Sequence, residues 1–313
     1  MKKITILVPC YREEKTLHPL YEELTRVISQ IDSYQWELLF VNDGSPDGTL
    51  AVLKGLRDKD PRVNIVDLSR NFGKEAAMLA GFDFATGDAV IILDADLQDP
   101  PSLIPEMIAK WEEGYDDVYA KRKSRGAESW LRRKFSLAFY SMLQRSARFD
   151  VLENVGDFRL LDRSCINVLK QLRESERYTK GMFCWIGFRK YELLFDRQDR
   201  VAGESAWNFF SLLDLAIEGI TSFTTTPLRI STIIGSLISL WAFIYMIFIF
   251  FKTIFYGDDV QGFPTILIAI LFLGGIQLLS IGILGEYIGR IFNETKSRPT
   301  YVVREYNEEK QNR

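Results

Sequence analysis

Two stretches without a single charged side chain constrain this chain more than anything else in it. Residues 230–251 and 260–285 contain no Asp, Glu, Lys or Arg, and each is long enough for a helix that crosses a bilayer core, which takes about 20 apolar residues. Buried helices of soluble proteins seldom stay uncharged over such lengths, so two transmembrane helices are expected within residues 229–290. Arg229 precedes the first stretch, Arg290, Lys296, Arg298 and Arg304 follow the second, and the connection at 252–259 is short and acidic. The positive-inside rule then places both termini in the cytoplasm and only the short connection outside. On this reading residues 1–228 form a cytoplasmic domain and residues 291–313 a cytoplasmic tail. Residues 1–8 carry two lysines but give way to polar residues at Pro9 to Glu14, too early for a signal peptide.

A formal net charge of −3 and the lack of a basic tract interleaved with aromatics exclude nucleic acid as the expected partner. Cys10, Cys165 and Cys184 lie far apart, without the spacing of a zinc site or a disulfide framework, which fits a reducing location. Two further stretches have amphipathic helical spacing. In 128–149 Trp130, Leu131, Phe135, Phe139 and Met142 oppose Arg132, Arg133 and Arg145; in 206–223 Trp207, Phe210, Leu213 and Ile217 oppose Asn208, Asp214 and Glu218. Packing on the core and lying in the headgroup plane are both open for these helices, and the arginines make the first the better membrane candidate.

Before residue 100 the chain alternates short apolar runs, at 4–8, 36–41, 63–68 and 89–93, with helical patterns. That alternation predicts an α/β domain with a mostly parallel sheet. Such sheets bind ligands beyond the carboxyl ends of their strands. Here those ends read Pro9-Cys10-Tyr11-Arg12-Glu13, Asn42-Asp43-Gly44-Ser45 and Asp94-Ala95-Asp96-Leu97-Gln98. If the chain stays extended, Asp94 and Asp96 share a side and converge on one cation, for which carboxylate oxygens suit Mg²⁺ or Mn²⁺. A metal held by so few protein ligands is completed by substrate phosphates, as in a nucleoside diphosphate. Neither a G-x-G-x-x-G after the first strand nor a G-x-x-x-x-G-K-[ST] is present, so dinucleotide and P-loop readings lose their support.

The segments Val8 to Glu14, Val41 to Ser45, Arg70 to Lys74, Asp94 to Pro101, Gly156 to Arg159 and Arg200 to Ser205, in this order and followed by two apolar stretches, make the chain resemble glycosyltransferase family 2. Within that family it is similar to the polyprenyl-phosphate glycosyltransferases of the dolichol-phosphate mannose synthase and bactoprenol glucosyltransferase (GtrB-like) type. The resemblance implies a GT-A, Rossmann-like cytoplasmic domain with interfacial amphipathic helices and two transmembrane helices. It implies inverting transfer of one hexose from a nucleotide-sugar to undecaprenyl (polyprenyl) phosphate at the bacterial cytoplasmic membrane. UDP-glucose is the first expected donor, while GDP-mannose and other nucleotide-sugars serve related enzymes.

By the same resemblance, Pro9, Tyr11 and Glu13, with Asp43, hold the base and ribose; Asp94, Asp96 and Gln98 hold the divalent cation; and Asp157 is the catalytic carboxylate. Lys74, Arg122, Arg132, Arg133 and Arg200 supply cations for the diphosphate and the lipid phosphate. Other readings stay open at this stage: Asp43 as cap of the helix beginning near Asp47, Arg132 and Arg133 as a solvated helix face, Asp157 as a turn residue beside Gly156. The chain departs from the family at Ala206, where relatives commonly have lysine, which leaves the charge to Arg200 or Lys74. A processive polysaccharide synthase would share the Asp-x-Asp but needs a Q-x-x-R-W motif and more spans, and a non-catalytic membrane scaffold would have no use for the intact carboxylates. The extended segment 298–306, too short to be stable as a lone strand, is expected to pair with a neighbouring subunit in a homo-oligomer such as a tetramer.

Overall fold

The computed structural model describes residues 1–123, 155–175, 177–195, 226–256, 262–307 and 309–310. The amphipathic stretches at 128–149 and 206–223, and with them Arg132, Arg133, Arg200 and Ala206, lie outside the described residues. The chain forms two compact units, one of Met1–Ala216 with Arg298–Arg313 and one of Ile217–Ser297.

In the first unit all four expected strands form: β1 (Lys3–Cys10), β2 (Gln35–Asn42), β3 (Val63–Leu68) and β4 (Ala89–Ile92). Their apolar runs are nearly continuous because both faces of a parallel sheet are covered. Helices α1 (Leu17–Ile28), α2 (Thr49–Arg57) and α3 (Lys74–Phe84) provide the crossovers. α1 buries one stripe, Leu17, Leu20, Leu24, Val27 and Ile28, whereas α3 is buried from Ala76 to Phe82. Gly81 lets α3 lie close on the sheet, since a Cβ there would overlap the side chain of Leu7.

Beyond β4 a 3₁₀ turn (Pro101–Leu103), α4 (Ile104–Glu112), β5 (Asp117–Arg122), β6 (Val155–Asp162), α5 (Arg163–Leu169), α6 (Thr179–Trp185) and β7 (Lys190–Phe195) complete one side of the sheet. β6 runs antiparallel to both β4 and β5, and β5 runs parallel to β7. With β8 (Val303–Tyr306) and β9 (Glu309–Lys310) the order becomes β7-β5-β6-β4-β1-β2-β3-β8-β9. The sheet is therefore mixed, parallel across β4-β1-β2-β3 and again between β5 and β7.

The tail corrects one expectation. Its strand pairs antiparallel with β3 of the same chain, not with a neighbour. β3 is the open edge of the parallel sheet, and its unpaired backbone groups are satisfied by whatever strand comes first to hand. Asn307 locks the pairing: its amide donates to the Ile65 carbonyl at 3.0 Å, and its side-chain oxygen accepts from the Ile65 amide at 2.9 Å. The tail thus belongs to the first unit, and strand exchange no longer argues for an oligomer.

The second unit holds two long helices, α7 (Thr226–Tyr256) and α8 (Phe263–Thr295), with Pro264 in the first turn of α8. Ser231 and Ser280 hydrogen-bond between them at 2.9 Å. Large apolar side chains on both point outward, among them Leu237, Trp241, Phe248, Ile270 and Leu278. Apolar exposure on this scale marks a surface that meets a partner or a membrane. Among the described residues the segment Phe272–Thr295 is long and apolar enough to cross a membrane, and Ile233–Tyr245 is a shorter apolar stretch.

Candidate active site

Register brings the chemically pointed loops together. Cys10 is level with Asn42 and Leu7 with Ile92, so β1, β2 and β4 end side by side. Their loops and the start of α3 enclose a cleft of about 300 Å³ lined by Pro9, Tyr11, Glu13, Asp43, Lys74, Asp94 and Asp96, all expected from the sequence. Cys10, Asn71, Gly73 and Ala77 line it too. The first two loops are cross-linked: the Arg12 amide donates to Ser45 Oγ at 3.1 Å, and the Glu13 amide to Thr49 Oγ1 at 2.9 Å. Arg12, on the loop after β1, and Leu97, on the loop after β4, have φ of 60° and 58°. Non-glycine residues in this left-handed region carry backbone strain, which gathers at functional sites.

Asp43 does not cap the helix near Asp47. α2 begins at Thr49, and Asp47 itself accepts from the Thr49 hydroxyl at 2.6 Å. The Asp43 carboxylate instead accepts the amides of Phe72, at 2.7 Å, and Gly73, at 2.9 Å. It thereby fixes the loop that enters α3, where Gly73 takes φ 94°. Burial raises its pKa even though those two amides pull it down. Gly44, at φ 60°, permits the close approach, since a Cβ there would overlap the backbone of Arg70.

Lys74 is the centre of the charge arrangement. Its Nζ stands 2.6 Å from Asp94 Oδ1 and 2.5 Å from Asp157 Oδ2, which joins β6 to the cleft. Burial lowers the pKa of Lys74, but Asp94 and Asp157 outweigh it and the net shift is upward. Burial alone would raise Asp157, yet Lys74 and Lys180 hold it down to about 2. Asp157 lies within β6 and is ion-paired with Lys74, so it is not merely a turn residue.

Behind Asp94 and Asp96 lies a carboxylate to which the sequence reading gave no role. Asp99 is buried, and burial together with Asp94 and Asp96 pushes its pKa up to about 6. Arg122 Nη2 stands 3.8 Å from it, which puts Arg122 beside the Asp-x-Asp turn. The Gln98 amide donates to Asp96 Oδ1 at 3.1 Å, and Gln98 is itself buried. Among the described residues no group of three or more His, Cys, Asp or Glu side chains could hold a metal ion by itself. Asp94 and Asp96 nevertheless suit a hard divalent cation. They are oxygen donors in a cleft where carboxylates outnumber cations, and Asp99 Oδ1 and Asp157 Oδ1 are buried without a hydrogen-bond partner.

Arg159 and Asp117 form a buried ion pair, 3.0 Å apart, beneath this region. The guanidinium lies 3.8 Å from the ring centroid of Phe183 and donates to the Gly156 carbonyl at 3.4 Å, so it steadies the backbone that carries Asp157. Of the groups that sequence reasoning left out, Asn71, Asp99 and Arg159 sit inside segments already singled out, and only side-chain geometry separates them from their neighbours. Lys180 stood in no such segment.

A sheet with this strand order, an acidic turn after β4 and a cleft across the strand ends defines a glycosyltransferase of the GT-A type. The model for glycosyl transferase family 2 matches residues 5–169, and the model for the GtrB C-terminal hairpin matches residues 226–291. The chain belongs to glycosyltransferase family 2. It is 46% identical over 301 residues to an uncharacterized glycosyltransferase of Synechocystis sp., covering 96% of this chain and 94% of that one. It is 44% identical over 302 residues to a prophage bactoprenol glucosyl transferase homolog of Escherichia coli, covering 96% and 98%. It is also 44% identical over 302 residues to the bactoprenol glucosyl transferase of Shigella phage SfX, covering 96% and 99%.

Proposed function

We propose that this enzyme transfers one hexose, glucose from UDP-glucose before other candidates, to undecaprenyl phosphate at the cytoplasmic face of the bacterial membrane. The observation that carries the reading is the union of two features in one chain. The strand-end cleft has carboxylates for a metal diphosphate, and the chain is similar over nearly its whole length to bactoprenol glucosyl transferases, hairpin included.

In this reaction a lipid phosphate oxygen attacks the anomeric carbon opposite the departing nucleoside diphosphate, with inversion. Asp94 and Asp96, with Gln98, would hold Mg²⁺ or Mn²⁺, whose chemistry is to neutralise charge that grows on the leaving diphosphate. Pro9, Tyr11 and Glu13 take the nucleoside, with Asp43 holding the wall of the cleft around it. Arg122, and Arg132, Arg133 and Arg200 from outside the described residues, gather the two phosphate groups. A general base has little to do, because a phosphate monoester with a second pKa of about 6 is already largely ionised near neutrality. Asp157, which Lys74 and Lys180 hold below the ordinary carboxylate range, is a weak base. Its part is to align Lys74 and the acceptor.

The hairpin has a physical purpose in this scheme. Each methylene of a polyprenyl chain costs about 0.8 kcal/mol to withdraw from apolar surroundings, so the enzyme must meet its acceptor at the bilayer. Two spans are proposed, with both termini cytoplasmic. A cysteine introduced at position 259 should then react with an impermeant thiol reagent in intact cells. The native Cys10, Cys165 and Cys184 are buried and serve as silent controls; labelling that appears only after lysis would overturn the topology. A homo-oligomer is proposed on family resemblance alone.

The donor is tested with a panel of radiolabelled nucleotide-sugars and undecaprenyl phosphate, scored for lipid-extractable label. GDP-mannose in place of UDP-glucose would change the sugar and leave the reaction class standing.

A further inference from the structure

The loop at residues 69–73 forms one wall of the cleft through Asn71 and Gly73, and Asp43 holds its far end. Its near end is held by the tail. The Ser69 amide donates to the Val302 carbonyl at 2.9 Å, and Arg304 Nη2 donates to the Ser69 carbonyl at 2.6 Å. Arg304 Nη1 also stands 3.4 Å from Oδ2 of Asp67, a buried carboxylate whose other oxygen accepts from Asn42 Nδ2 at 2.7 Å. Asn42 directly precedes Asp43 in the chain. The β3–β8 register shifts between Asp67 and Leu68, just where β3 gives way to the loop. One guanidinium therefore grips the root of the loop at two points, and both lead to the groups that shape the cleft.

We infer that Arg304 is a positioning residue for donor binding, which acts from the tail through Ser69 and Asp67 to hold the 69–73 loop in its nucleotide-ready shape. The inference rests on the proposed assignment of this cleft to the donor. A neighbouring contact separates this role from plain strand stabilisation: Lys54 pairs with Glu305 on the same strand at 3.0 Å, and among the described residues that is its one ion pair, with none to the 69–73 loop. Loss of Lys54 loosens the tail's strand without releasing Ser69. Arginine's two-point grip is also what lysine cannot reproduce in full.

The test uses the full chain in mild detergent. UDP and GDP binding with Mg²⁺ is measured by calorimetry for wild type, Arg304→Met, Arg304→Lys and Lys54→Met, alongside thermal unfolding and amide hydrogen exchange at Phe72 and Gly73. Arg304→Met is expected to weaken nucleotide binding by roughly two- to thirtyfold, as coupling through one or two contacts does. It should also speed exchange at Phe72 and Gly73, with partial recovery in Arg304→Lys and no change in Lys54→Met. Unchanged exchange and affinity in Arg304→Met would overturn the inference, and so would an equal loss in Lys54→Met or a loss explained wholly by unfolding. Wild type that binds neither nucleotide would overturn the donor cleft itself; faster exchange in Arg304→Met would then show that the grip on the loop is real but serves another ligand.

Discussion

Chelation with EDTA and the Asp96→Asn change each lower sugar transfer by about 10²-fold or more, the size of loss seen when a main stabiliser of transition-state charge is removed. The expectation follows from the charge balance of the cleft. Asp94 is shared with Lys74, and Asp99 is held up to about 6 by burial and by Asp94 and Asp96. Such a site is short of positive charge until a cation and its diphosphate arrive. The same balance fixes the sign of the effect on stability. A carboxyl whose folded pKa lies above its ordinary value favours folding fully only below that ordinary value, and the benefit fades as pH rises through the folded value. At neutral pH Asp99 is therefore a cost that Asp96 enlarges, and Asp96→Asn should melt no lower than wild type without metal. Activity and stability are expected to part company, which thermal unfolding beside the transfer assay will reveal. Full activity in EDTA would contradict the metal assignment.

Asp157→Asn should abolish most transfer yet leave nucleoside diphosphate affinity near normal, whereas Asp43→Ala should weaken nucleotide binding first. Asp157 reaches the donor cleft only through Lys74, which keeps its pairing with Asp94 in the Asn variant, so its loss should show itself mainly in turnover. Asp43 fixes the Phe72 and Gly73 amides of the cleft wall, while Asp157 stands across Lys74. The pH profile adds a second readout. With Asp157 near 2, the acid limb of transfer should follow the acceptor phosphate near its second pKa of about 6 and keep its position in the weakly active Asn variant. Because the folded value lies below the ordinary 3.8, the stability that Asp157 contributes is complete above that value and is lost as pH falls through about 2. An Asp157→Asn protein that no longer binds nucleotide would make the residue donor-side or structural.

What the sequence disclosed follows the reach of its signals. The four parallel strands were legible because burial on both faces writes a continuous apolar run, and their loops were legible because Pro9, Asp43, Asp94 and Asp96 follow those runs at once. β5 was not, since Asp117 to Arg122 mixes a buried carboxylate with two half-buried cations, and only pairing with Arg159 explains Asp117. The role of Asp43 turned on a partner 29 residues away, which no local capping pattern records. The tail misled for a similar reason: an extended segment announces that it needs a partner strand but not which one, and the β3 edge of its own chain was available.

The most direct test of the central claim is a reaction with purified full-length enzyme, UDP-[¹⁴C]glucose, undecaprenyl phosphate and Mg²⁺, followed by mass analysis of the lipid extract. One hexose joined to each modified lipid phosphate, with UDP released in equal amount and no label in the lipid phase when the acceptor is left out, is the expected result. Label in a polymer, or hydrolysis of every nucleotide-sugar supplied without a lipid product, would contradict it.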